Sequence, residues 1–150
     1  MRPWYRFRQV ANCLNLSTPL GLAIAVTGRA RLSRGEYGLI YAHGFRIPMM
    51  AGAFTVGNVI VTGRRDGYLT GRLLEHESRH ATQYVWCLGL PMLVLYLLAS
   101  LLSICTCGNP GSWNIFERRA NLADGGYPDK DPWWRTTRRR AGGDPGQTAA

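Results

Sequence analysis

Leu73-Leu74-Glu75-His76-Glu77-Ser78-Arg79-His80-Ala81-Thr82-Gln83-Tyr84-Val85-Trp86 is the stretch from which the rest of the chain can be read. Leu73, Leu74, Tyr84 and Val85 supply apolar positions at helical spacing, and Glu75 with Arg79 makes an i,i+4 surface pair. The expected helix runs from about Leu69 to Cys87, after an Asp66-Gly67 turn. On that helix His76 and His80 stand one turn apart on one face, so both imidazoles can meet a single metal ion. Glu77 then falls where a general base toward a metal-activated water is needed. The chain has only three histidines in 150 residues, which makes H-E-x-x-H a specific signal.

Working outward, no charged residue occurs from Val85 to Cys105, a length that qualifies as a transmembrane candidate. Gly89 and Pro91 interrupt it. What remains is about fifteen residues, or about 22 Å of helix, short of a hydrocarbon core of about 30 Å. The expected shape is a return helix antiparallel to the motif helix. A full span, a one-sided dip into a membrane and a buried core helix all stay open at this point, and 85–105 is a candidate for membrane contact.

A catalytic zinc takes three protein ligands and keeps a position for water. No histidine follows His80, and Glu117 is the only glutamate after the motif. It lies on an expected short helix from Ile115 to Ala123, with the small Ala120 one turn on. Glu117 as third ligand is incompatible with a single straight span, which would carry it across the bilayer from His76 and His80.

Upstream, residues 31–65 are punctuated by glycine and rich in β-branched and aromatic residues. Gly38–Ile47 and Phe54–Thr62 are expected as strands of a small antiparallel meander, giving an α+β fold. The strand Phe54–Thr62 reads as core or as a sheet edge able to pair with an extended peptide. Residues 1–30 mimic a signal peptide, but Asn12, Asn15, Ser17 and Pro19 leave a clean apolar run of only about eight residues. The expectation is a short helix and a turn, with the protein membrane-associated or cytoplasmic. The expected domain covers 1–124, and 125–150 is expected as a disordered basic tail.

The net charge of +9 raises nucleic-acid binding, but the arginines are scattered, and the densest group (Arg135, Arg138, Arg139, Arg140) lies in the Gly/Pro-rich tail without interleaved aromatic motifs. Nucleic acid is therefore not an expected partner. Cys105 and Cys107 form a C-x-C without a matching pair, which disfavours a four-cysteine zinc site, and Cys87 reads as a buried small hydrophobe. His43 and Tyr84 are expected to serve packing, and Gln83 either the site or the polar surface.

H-E-x-x-H followed by the helical Glu117-Arg118-Arg119-Ala120 resembles the gluzincin metallopeptidases. The run His76–Gly89, the apolar segment and Asn114–Ala120 also resemble small uncharacterised bacterial proteins of high-GC genomes. The gluzincin resemblance implies Zn2+ on His76, His80 and Glu117, Glu77 as base, and a peptide or protein substrate; the apolar segment 85–105 adds the expectation of activity near a membrane. Thermolysin-like members orient a histidine through an aspartate four residues after the ligand glutamate. That position is Asn121 here, with Asp124 a turn further. A non-catalytic membrane-associated or structural zinc protein, and a basic module binding through the arginine tail, remain as alternatives. Oligomeric state is not legible.

Overall fold

The computed structural model describes residues 2–48 and 52–135. The chain opens with two helices, α1 (Pro3–Leu14) and α2 (Ser17–Thr27), followed by β1 (Arg31–Arg34), a 3-10 turn, β2 (Ile40–His43), β3 (Phe54–Val56) and β4 (Val59–Thr62). Three helices complete it: α3 (Gly71–Trp86), α4 (Pro91–Cys107) and α5 (Ile115–Ala120). The class is α+β, as expected.

The sheet differs from the expected meander. Its order is β1-β2-β4-β3, with β2 parallel to β4 and the other two pairs antiparallel. The cause lies in Val56-Gly57-Asn58-Val59. Val56 pairs with Val59, so Gly57 and Asn58 form a two-residue hairpin loop, and Gly57 has φ +62°. Glycine with positive φ at the first loop position suits the twist of a tight hairpin. The expected single strand is therefore two, and β4 inserts between β2 and β3. All four residues of β4 are buried, as befits a strand covered on both faces.

The pleat divides the core. Val59 and Val61 join Ala25, Ala42 and Phe45 on the α2 side. Ile60 joins Leu39, Leu69, Leu74 and Ala81 on the α3 side. Since neighbouring strand residues face opposite ways, Thr55, which pairs with Ile60, also points to α3.

α1 packs on α3 through polar side chains. Arg8 is fully buried. It donates to Ser78 O and Ser78 Oγ at 2.9 Å and to Tyr37 O at 2.6 Å. Burial pulls its pKa down to about 10, so it remains a cation at neutral pH. Asn12 donates to Asn58 Oδ1 and to Ala81 O, and Asn58 in turn donates to Thr18 Oγ1. The polar residues that break the N-terminal apolar run thus tie α1, α2, α3 and the hairpin together.

α3 ends where Leu88 adopts φ +58° and Gly89 φ +91°. Gly89 N–H bonds Tyr84 O at 2.7 Å and Leu88 N–H bonds Val85 O at 3.2 Å, the paired bonds of a Schellman cap. Pro91 then starts α4, which leaves at 118° to α3. Among the described residues no single helix is long and apolar enough to cross a membrane. Residues 125–135, expected as tail, are packed: Ser112 Oγ donates to Pro128 O at 2.6 Å and Trp113 Nε1 to Lys130 O at 2.8 Å. The rest of the expected tail, with Arg138, Arg139 and Arg140, lies outside the described residues.

Candidate metal centre

The return of the chain through α4 brings α5 against α3. The loop between α4 and α5 is built on Asn109, whose Oδ1 accepts from Gly111 N, Ser112 N and Ser112 Oγ, each at 3.0 Å. Asn114 caps α5 by accepting from Phe116 N, while its amide donates to Ser100 Oγ on α4. Six residues make a marginal helix, so these contacts and burial of Ala120 hold it. Glu117 is thereby delivered, buried, to the histidines.

The tautomers of both histidines follow from their outer partners. His76 Nδ1 lies 3.1 Å from Ala120 O and 3.0 Å from Asn121 O. Carbonyl oxygens only accept, so Nδ1 carries the proton. Gln83 Nε2 donates to Phe116 O at 2.9 Å, which turns Gln83 Oε1 towards His80 Nδ1 at 2.9 Å. His80 Nδ1 is therefore also a donor. In the neutral rings both Nε2 atoms then present lone pairs, yet they face one another at 3.0 Å. Glu117 adds Oε2 3.1 Å from His76 Nε2 and Oε1 3.5 Å from His80 Nε2. Its Oε2 has no hydrogen-bond donor.

Three acceptors converging in a buried place repel unless a cation lies among them. Tetrahedral zinc ligands about 2.0–2.1 Å from their ion stand about 3.3 Å apart. The observed separations of 3.0, 3.1 and 3.5 Å have that scale. His76, His80 and Glu117 could hold a metal ion. The electrostatics agree on the sign. Burial pushes the Glu117 carboxyl up, but its contacts with His76, His80 and Tyr96 hold it well below the usual carboxylate range. Burial lowers His80, and Glu117, Glu77 and Gln83 outweigh it, so its affinity for a proton rises.

Glu77 is buried beside this cluster and accepts a 2.6 Å hydrogen bond from Thr55 Oγ1 on β3. His76, Glu77, His80 and Glu117 line one cavity of about 500 Å³. Its other walls include Phe54, Val56, Leu73, Tyr84, Met92 and Leu93. β3, the edge strand next to α3, forms one side.

The structure brings His76, Glu77, His80 and Glu117 together and redistributes the outer roles. The Asn121 and Asp124 side chains do not reach an imidazole. They bond each other at 2.6 Å, and Asp124 lies 3.6 Å from Arg79 Nη1. The imidazole acceptors are instead the main-chain carbonyls of Ala120 and Asn121. Asn121, with φ +76°, turns the chain there. Gln83 serves the site, and Tyr84 packs with Val56 and Met92. His43 is outside the cavity, 3.7 Å from Asp66 Oδ1.

Four contributors are not announced by the sequence. Thr55 could be found only from the strand register. Tyr96, whose hydroxyl donates to Glu117 Oε1, is the one aromatic in the apolar run Met92–Leu98. Tyr127 lines the cavity together with Tyr96. Gly125 lies so close to His76 that a Cβ would sit 2.5 Å from its Cε1. The Gly125-Gly126-Tyr127 turn is thus a wall of the site.

No protein-family model, curated protein or solved structure matches this chain.

Proposed function

We propose that the protein is a zinc-dependent hydrolase of peptide bonds. The observation that carries this reading is the convergence of three buried ligand atoms, from His76, His80 and Glu117, with Glu77 on the wall of one cavity. Two imidazoles and a carboxylate at tetrahedral spacing suit zinc, and structural zinc sites take four protein ligands where this cluster supplies three. When bound, zinc polarises a carbonyl and lowers the pKa of water towards neutrality.

The remaining work belongs to this chain. Glu77 takes the proton of the attacking water and returns it to the leaving amine. Thr55 fixes its Oε2 through the 2.6 Å hydrogen bond. Gln83 and the Ala120 and Asn121 carbonyls orient the imidazoles. The open edge of β3 can pair with an extended peptide, and the apolar wall suits a large apolar side chain. The likeness to gluzincins supports the reading through His76, Glu77, His80 and Glu117 alone.

The test is hydrolysis of a mixed library of quenched fluorogenic peptides by the zinc-loaded chain. Wild type cleaves. Glu77→Gln retains zinc and loses about 10²–10⁴-fold in kcat/KM, the scale of general-base catalysis. Equal rates for wild type and Glu77→Gln would remove Glu77 as the base. Zinc bound without any cleavage would assign the centre a structural role.

A further inference from the structure

α1 is inverted relative to a helix on the surface of a globular protein. Its buried residues are Arg8 and Asn12, while Phe7, Val10 and Leu14 are exposed at i, i+3 and i+7. Leu14 is 79% exposed. A helix normally turns its apolar stripe to the core and its charges to water.

The same exposure continues into α3 and α4. Trp4 of α1 stacks on Trp86 at the end of α3, with ring centroids 6.1 Å apart. Trp86 is 72% and Leu88 79% exposed. α4 follows directly and buries Met92 and Ser103, while Val94, Leu97, Leu98, Leu101 and Leu102 are each more than half exposed. Scattered exposed leucines are ordinary, whereas a connected apolar set over three helices marks an interaction surface.

The surroundings of this surface indicate its occupant. At the far end of α4, Ser103 Oγ accepts from Trp113 N at 2.8 Å, so a second exposed tryptophan sits by its last turns. Tryptophan near both ends of an uncharged apolar helix is the distribution found at membrane–water boundaries. Arg6 lies exposed on α1 beside its apolar stripe, Arg2 is exposed at the cap that precedes the helix, and the chain carries +9. That charge suits anionic headgroups and opposes the approach of a second equally basic copy.

We propose that the outward face of α1, Trp86–Leu88 and α4 together form a docking surface for an anionic lipid bilayer. α4 lies in the interfacial plane and does not cross. Its 17 residues make about 25 Å, less than the hydrocarbon core of about 30 Å. Its two ends also join α3 and α5, whose side chains meet at the same cluster. Met92, Leu93 and Tyr96 on its inner side line the cavity, so α4 separates the cavity from the bilayer.

The experiment is flotation of the full chain, with and without zinc, on vesicles of phosphatidylcholine alone and of equal parts phosphatidylcholine and phosphatidylglycerol. The chain floats with the mixed vesicles, and intrinsic tryptophan emission shifts to the blue. Phe7→Ser with Val10→Ser, and separately Leu98→Ser with Leu101→Ser, each weaken binding at least tenfold. Arg2→Gln with Arg6→Gln weakens it on the mixed vesicles only. These surface substitutions leave bound zinc unchanged, which separates lost docking from lost folding and from failure of the hydrolase reading. A chain that stays at the bottom of the gradient with both vesicle types overturns the proposal. So does sedimentation as a stable dimer that Leu98→Arg dissociates, together with no flotation, since the surface then belongs to a second copy.

Discussion

Two buried polar clusters flank α3, and they are built on opposite terms. On one side Arg8, Asn12, Asn58 and Thr18 bind Ser78, Tyr37 and Ala81 through donors matched to acceptors. On the other side His76, His80 and Glu117 turn acceptors on one another. The first cluster is complete with protein atoms alone, apart from Arg8 Nε. The second leaves Glu117 Oε2 without a donor. A buried polar group costs little when paired and a great deal when it is not, so the same helix carries a structural seam and a group that could hold a metal ion.

The largest effect expected from this contrast is zinc-dependent stability. At free zinc about a thousandfold above its Kd, binding adds about 4 kcal/mol to unfolding. Thermal melts with and without a chelator should show that shift in wild type and lose it in His80→Ala. A shift of equal size in His80→Ala would place the metal elsewhere.

Next in size is the seam. Arg8→Met leaves buried carbonyls without donors and should cost about 3 kcal/mol in denaturant unfolding. The variant should keep the full zinc-dependent increment. Loss of both together would mean that the clusters are coupled through α3 and do not act independently.

The smallest effect is the pH dependence of the metal-free chain. His80 has a raised pKa, so its stabilisation is complete below its ordinary 6.5 and is lost as pH rises through the folded value. Glu117 has a depressed pKa, so its stabilisation is complete above its ordinary 4.5 and is lost as pH falls towards the folded value. Metal-free stability should therefore peak between those two values, whereas the zinc increment should grow with pH as His80 gives up its proton. Parallel pH profiles of the two forms would contradict a proton and a metal competing for one place.

The sequence made the site more legible than the fold around it. H-E-x-x-H declares itself because helical spacing fixes which side chains share a face. Glu117 was reachable because it is the only glutamate after the motif. The hairpin at Gly57-Asn58 was hidden because Val56, Val59, Ile60 and Val61 read as one continuous β-branched strand. Arg8 is one of the scattered arginines in the sequence, and no local pattern announces its burial because its partners Ser78 and Tyr37 lie 70 and 29 residues away. Gly125–Tyr127 read as tail because glycine signals a loop whether or not it packs. The Gly125 approach to His76 is a tertiary fact with no local signature.

We propose that His76, His80 and Glu117 hold one zinc ion between them. The most direct measurement is metal content of the full chain, loaded with zinc and passed through a desalting column, alongside Glu117→Ala and His76→Ala with His80→Ala. Wild type should retain one zinc per chain, Glu117→Ala a weakened and readily chelated zinc, and the double variant none. Wild type without retained zinc, or a double variant that retains as much as wild type, would contradict it.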